Sequence, residues 1–496
     1  MVNRSNKSGS NGKGGNLLGK KPRPKKAADP VYVRDDVPRM NAPRAAEKNL
    51  PQTNKRLGEF TIERWSHDGR GLSNLNGKTL FIQGALPDEV VSARLIEEHP
   101  RYIDARVDQI VHASSERTEP PCIHYRECGG CQLQHVKPEA QLALKQQALL
   151  QQLQNWGKVA PKHILPAVHV SQMGYRTRAR LGVWYETDGR VSLGFRQQQS
   201  KTIAAIQSCL VLVSELDALI KPLQDWLEQH CTTKSITHVE LVRGDKESVI
   251  ILRHTKKLAE QEINSLLHFA REHLCNIWLE PNGNLGLTDL DGKVCDPRLV
   301  YQLDDLLLSF HPQDFIQVNA SVNDRMVAHA LRLLDPQPHE IVLDLFCGIG
   351  NFTLPLARRC KHVIGIEAVE SMVVRGRENA VRLGISNAKF IAANLIDMTH
   401  TQWQRLAGGK EQEIAAILLD PPRDGAKEVV TAIKQWVKTR QLSPKRIVYV
   451  SCNPATLARD AAILADAGYE LDTAGILDMF PHTSHVESMA LFLLKS

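Results

Sequence analysis

Two side chains near the end of the chain have the placement that covalent chemistry needs. Ser451-Cys452-Asn453-Pro454 follows directly on the apolar run Ile447-Val-Tyr-Val. Most lone cysteines are small core hydrophobes, but a thiol at the carboxyl end of a buried strand faces the cleft above the sheet, where it can attack a substrate. His485-Val-Glu487 lies in the polar stretch Phe480 to Glu487, just before the apolar run Met489 to Leu494. A carboxylate there is most often solvated, yet beside a nucleophile it can remove the proton that a covalent intermediate must lose.

A second constellation has the form of a nucleotide-binding turn. Asp344-Leu-Phe-Cys-Gly-Ile-Gly-Asn-Phe follows the apolar run from Ile341, so Gly348 and Gly350 can bring backbone close to a ligand. Glu367 ends the next apolar run, where a carboxylate accepts hydrogen bonds from both hydroxyls of a ribose. A nicotinamide dinucleotide is disfavoured, because Thr353 stands where that fingerprint wants a third small residue. Asn394 and Asp420 fall at further strand ends, within reach of an adenine amino group or a ligand ammonium.

Cys122, Cys128 and Cys131 form a C-x5-C-x2-C cluster around Gly129 and Gly130, and Cys209 could complete a four-thiolate site. Spacing alone leaves zinc and an iron–sulfur cluster both open. The other cysteines, at 231, 275, 295, 347 and 360, have no such neighbours in sequence. Arg176, Arg178 and Arg180 recur with period two, which puts them on one face of a strand and suits contact with RNA phosphates as well as a solvated face.

The elements that must position these groups divide the 496 residues into four parts. Residues 1–51 are rich in Ser, Asn, Gly, Pro and Lys and read as a disordered basic tail, since residues 1–56 carry a balance of +10 and the other 440 one of −3. Such an arm assists nucleic-acid binding or merely solubilises. Residues 52–113 show short alternating runs separated by Asp68-Gly69, Asn76-Gly77 and Pro87-Asp88, the pattern of a small β-barrel of the oligonucleotide-binding kind. Residues 114–310 mix a helical stretch, Pro138 to Trp156, with strand-like and amphipathic runs, an α+β region. Residues 311–496 alternate strand and helix, which predicts a doubly wound parallel sheet, hence an α/β class overall. With 42% hydrophobic residues, no apolar run of membrane length and no signal-peptide pattern, the chain reads as a cytoplasmic protein without membrane contact, its cysteines reduced.

The motifs Asp314-Phe-Ile-Gln-Val-Asn, Asp344-Leu-Phe-Cys-Gly-Ile-Gly-Asn, Leu419-Asp-Pro-Pro-Arg, Val450-Ser-Cys-Asn-Pro and His485-Val-Glu together resemble the RNA uracil-C5 methyltransferases, over roughly Phe60 to the C-terminus. Within them, the resemblance is to the branch acting on large-subunit, 23S, ribosomal RNA. It implies a Rossmann-like domain binding S-adenosylmethionine, with Cys452 as nucleophile and Glu487 as proton acceptor. It implies cofactor contacts from Gln317, Phe346, Asn351, Glu367, Asn394 and Asp420, the first three by resemblance alone. It implies a [4Fe-4S] cluster on Cys122, Cys128, Cys131 and Cys209, and a TRAM-type barrel at 52–113. The transfer-RNA members lack both barrel and cluster cysteines, so these favour ribosomal RNA as partner, with the protein expected as a monomer. A non-catalytic iron–sulfur RNA-binding protein is the competing class, and it has no use for both Cys452 and Glu487.

Overall fold

The computed structural model describes residues 55–495 except 67, 199, 282–285, 397–401 and 403–413. The expected basic tail, 1–51, lies outside the described residues. β1 (Arg56–Thr61), β2 (Arg64–Trp65), β3 (Gly71–Leu75), β4 (Lys78–Gln83), β5 (Val90–Glu98) and β6 (Tyr102–His112) form one sheet in the order β1-β5-β6-β4-β3-β2. Alternation sets its inner face: Leu80 and Ile82 in β4 join Phe60, Val91, Ala93, Ile103 and Ala105 in a core of its own. β3 lies outside the alternating runs, whereas the Asn76-Gly77 turn marks its hairpin with β4. Both turn residues have positive φ, 52° and 80°, as a two-residue hairpin turn demands.

Helix Pro138–Gln152 follows the cysteine-rich segment and continues into a wider turn, Leu153–Gly157. After β7 (His163–Ile164) comes a second sheet. It comprises β8 (Arg178–Tyr185), β9 (Val191–Arg196), β10 (Ile203–Ala205), β11 (Ile236–Arg243), β12 (Ser248–His254), β13 (Cys275–Pro281), β14 (Leu287–Thr288) and β15 (Val294–Cys295), in the order β10-β9-β8-β11-β12-β13-β14-β15. Helices Ile220–Gln229 and Glu260–Glu272 cover one face of it through Leu223, Trp226, Leu266 and Phe269. A hairpin of β16 (Leu299–Leu303) and β17 (Leu306–Phe310) leads on to the last region.

There β18 (Ile341–Leu345), β19 (His362–Glu367), β20 (Ala388–Ala392), β21 (Ile414–Leu419), β22 (Arg446–Ser451), β23 (Tyr469–Leu477) and β24 (Glu487–Leu494) build a sheet ordered β20-β19-β18-β21-β22-β24-β23-β7. β20 to β22 pair in parallel, and β24 runs antiparallel to both its neighbours. Its central strands are apolar throughout because both faces are covered. Ile341, Leu343 and Leu345 pack on one side with helices Lys427–Lys438 and Pro454–Asp466. Val342 packs on the other with helix Ala320–Leu334. The sheet also reaches back across position 310: β7 pairs with β23, and Leu149 and Leu153 are buried in the same core as Ile341. Among the described residues no helix is long and apolar enough to cross a membrane.

Candidate active site

The turn after β18 is built for close approach. Gly348 and Gly350 have φ of 56° and 100°, and Phe346 also adopts positive φ, 67°. Thr353 Oγ1 donates to Asp344 Oδ2 at 2.5 Å, so the residue that departs from the dinucleotide pattern ties the helix start to the strand below it. Gly365 of β19 completes this packing, since a Cβ there would lie 2.9 Å from both Cys347 Sγ and Thr353 Oγ1. Glu367 accepts from Ala368 N and Val369 N through Oε1 and from Gly348 N through Oε2, at 2.8, 3.0 and 3.1 Å. These three bonds fix the carboxylate at the rim of the turn and leave lone pairs for a ligand.

Gln317, Phe346, Asn351 and Asp420 line one open-mouthed cleft, together with Tyr301, Phe315, Ile316, Gly348 and Phe352. Asn351 Oδ1 is held by Tyr301 Oη and Asn323 Nδ2, each at 3.0 Å. Sequence spacing did not single out Tyr301 or Asn323; Tyr301 arrives on the β16–β17 hairpin, an apolar ribbon with no motif of its own. Asn394 is exposed two residues beyond β20 and accepts from Ile396 N at 3.1 Å, outside the lining of this cleft. Burial, and then the charge of Glu367, push the Asp420 carboxyl up to about 7. Two desolvated carboxylates beside one cleft favour a cationic ligand rich in hydrogen-bond donors.

Sheet register brings Cys452 and Glu487 together. β22 and β24 pair with Ser451 opposite Ser488, and Ser488 Oγ donates to Ser451 O at 3.0 Å. The antiparallel count therefore sets Cys452 against Glu487 at the carboxyl end of β22. Cys452 is half-buried, not packed within the sheet. Asn453 caps the next helix by accepting from Ala455 N, and its Nδ2 donates to Arg423 O at 3.1 Å. Burial pushes the Cys452 thiol up to about 12, Glu487 and Asp420 add to the shift, and Arg423 opposes it. Glu487 is buried, which holds its carboxyl well above the usual carboxylate range, with a further contribution from Asp420 and opposition from Arg423. Asp420 thus belongs to both the cleft and the thiol–carboxylate pair. Arg423, from the Asp-Pro-Pro-Arg motif, also meets His485, with Nη2 3.1 Å from Nδ1.

The three period-two arginines separate. Arg178 is bound inside the protein, its Nε donating to Glu240 Oε1 at 2.6 Å and its Nη1 to Asp314 O. Arg176 Nε donates to Arg178 O, and Arg180 is exposed. Cys122, Cys128, Cys131 and Cys209 are free, half-buried thiols. Burial pushes Cys131 up to about 12, and Cys209, Cys128 and Cys122 all add to that shift, so those three lie within electrostatic reach of Cys131. Among the described residues no group of three or more His, Cys, Asp or Glu is gathered closely enough to hold a metal ion.

Comparison with known proteins gives the family and the fold. The family described as tRNA (Uracil-5-)-methyltransferase matches residues 137–496. The 23S rRNA (uracil(1939)-C(5))-methyltransferase RlmD of Hahella chejuensis is 43% identical over 454 residues, covering 90% of this chain and 98% of that one. The protein of the same name from Pseudomonas entomophila is 44% identical over 436 residues, covering 87% and 92%. Among solved structures, the Pyrococcus abyssi tRNA (uracil-54, C5)-methyltransferase in complex with S-adenosyl-L-homocysteine superposes with a TM-score of 0.65 at 22% identity, covering 88% of this chain and 100% of that one, a likeness of fold. The chain is a member of the tRNA (uracil-5-)-methyltransferase family, and its α/β sheet is the Rossmann-like fold of S-adenosylmethionine-dependent methyltransferases.

Proposed function

We propose that this chain methylates carbon 5 of a uridine in 23S ribosomal RNA, at the nucleotide equivalent to the uracil 1939 in its relatives' names. The observation that carries the mechanism is Cys452 facing Glu487 across the β22–β24 register, both within the field of Asp420, which lines the cleft. Carbon 5 of uracil is too weak a nucleophile to take a methyl group unaided. The Cys452 sulfur adds to carbon 6, and the electron pair of the carbon 5–carbon 6 double bond moves towards carbon 5 and the carbonyl oxygen. Bound S-adenosylmethionine supplies the methyl group as an electrophile. Glu487 then takes the carbon 5 proton, the double bond re-forms, and the sulfur leaves carbon 6. Burial favours the protonated form of the Glu487 carboxyl, which suits it to hold that proton once taken.

Gln317, Phe346, Asn351, Glu367 and Asp420 hold the cofactor in this reading, with Asn394 reached from the adjoining strand end. Cys122, Cys128, Cys131 and Cys209 would hold a [4Fe-4S] cluster, which cross-links two distant parts of the chain. The support is the donor set itself: four half-buried thiols with no disulfide, beside Gly129, which has no room for a side chain, since a Cβ there would lie 2.7 Å from Arg196 O. The first sheet acts as a TRAM-like RNA-binding module at 52–113, followed by an RNA-binding central region at 114–310 and the catalytic domain at 311–496. The protein works as a cytoplasmic monomer on ribosomal RNA.

RNA carrying 5-fluorouracil at the target tests the mechanism. Fluorine cannot leave as a proton does, so the wild-type protein with cofactor gives a covalent complex that survives denaturation. Cys452→Ala gives none, and a Cys452→Ala protein that still methylates normal RNA overturns the mechanism.

A further inference from the structure

We infer that Gln141 and Lys145, on helix Pro138–Gln152, are positioning residues for Glu487 and act on the proton-removal step in particular. This rests on the roles given above to Cys452 and Glu487. Glu487 is the first residue of β24 and pairs with Leu477, the last of β23, so the connection 478–486 sets where its carboxylate stands.

That connection is gripped from outside the catalytic sheet. Lys145 is 1% exposed, and its Nζ donates to Asp478 Oδ1 at 2.7 Å and to Phe480 O at 3.0 Å. Gln141 is fully buried; its Oε1 accepts from His482 N at 3.0 Å, while its Nε2 donates to Val136 O and lies 3.2 Å from His482 Nδ1. With Nε2 of the glutamine a donor, the imidazole nitrogen accepts, and His482 is neutral. His482 holds a left-handed φ of 65° with no glycine's freedom. Its carbonyl accepts from Gln132 N and Leu133 N at 2.9 and 2.8 Å, and Tyr175 Oη donates to Pro481 O at 3.1 Å. The turn is therefore held at successive residues from the helix, the cysteine-rich segment and the approach to β8.

Stability alone does not account for this network. Asp478 Oδ2 and His482 Nε2 are buried without partners, and a buried ion pair contributes little net stability compared with apolar residues of the same volume. What the pair does fix is geometry: Lys145 joins the first and third residues of the connection, and Gln141 joins the backbone at the fifth. A loosened turn lets the Glu487 carboxylate drift from the carbon 5 proton while Cys452, between the end of β22 and the capped helix Pro454–Asp466, keeps its place.

The experiment is single turnover with ribosomal RNA tritiated at carbon 5 of the target uridine, using the full chain. Two variants are compared with wild type: Gln141→Leu, and the double variant Lys145→Met with Asp478→Leu, which removes both charges at once and keeps the fold testable if the single change does not fold. Methyl incorporation should stay within about threefold of wild type, while tritium release falls by about tenfold or more and the methylated protein–RNA adduct accumulates. Parallel loss of both steps, or no change in either, overturns the inference. Wild-type protein that incorporates methyl without releasing tritium would instead overturn the functional reading itself.

Discussion

The sulfur of Cys452 is set between opposing demands. Addition to carbon 6 needs a thiolate, yet burial and two carboxylates push this thiol up to about 12, with the charge of Arg423 opposing them. A thiol whose ordinary value lies near 9 is raised, so its ionised fraction is small at neutral pH and grows as pH climbs. Alkylation of Cys452 by iodoacetamide, read by mass spectrometry of its peptide, should accelerate about tenfold per pH unit from neutral to mildly alkaline conditions. A pH-independent rate would mean that the thiol is already ionised. Cys452 and Glu487 were legible in sequence because each adjoins an apolar run that becomes a strand. Arg423 was legible only as part of a motif, and its approach to His485 spans 62 residues of sequence that no spacing rule connects.

At the scale of elements, backbone room decides what the cysteine-rich segment can do. Gly129 N donates to Arg196 O at 2.9 Å, and Cys128 forms an isolated bridge with Gln197, so the loop between the second and third thiols is laid against the end of β9. Anaerobically purified protein should carry about four irons per chain by metal analysis. Gly129→Ala should lose most of that iron, because its Cβ would meet Arg196 O at 2.7 Å and push the loop outward; stoichiometric zinc in the wild type would refute the cluster. The strands around the catalytic centre were readable because both faces are apolar: β18 and β22 coincide with the runs Ile341–Leu345 and Arg446–Ser451. The amphipathic residues of the central region instead form two separate helices, Ser214–Asp217 and Ile220–Gln229, with no proline or glycine at the break to announce it.

For the molecule as a whole, the catalytic sheet depends on residues far upstream of it. Leu153 is fully buried against the same core as Tyr449 and Leu457, and a Cβ on Gly157 would lie 2.8 Å from Ala458 O. Leu153→Ala should therefore destabilise the catalytic region by about 2–5 kcal/mol in denaturant unfolding, as deletion of a packed core side chain does. A loss below about 1 kcal/mol would show that helix Pro138–Gln152 and its extension are only loosely attached. Sequence periodicity gave no sign of this dependence. β7 has two residues, both exposed, and pairing with β23 is visible only once the chain has returned from the second sheet.

The two-residue strand His163–Ile164 has a consequence for the ribosome-bound chain. It is made about three hundred residues before Tyr469–Leu477, the strand beside which it must lie. At 5–20 residues per second, Leu149, Leu153 and Leu165 wait roughly 15–60 s for the surface that will cover them. An enzyme that will later serve the ribosome thus emerges with part of its own core bare, an interval in which a holdase has something to grip.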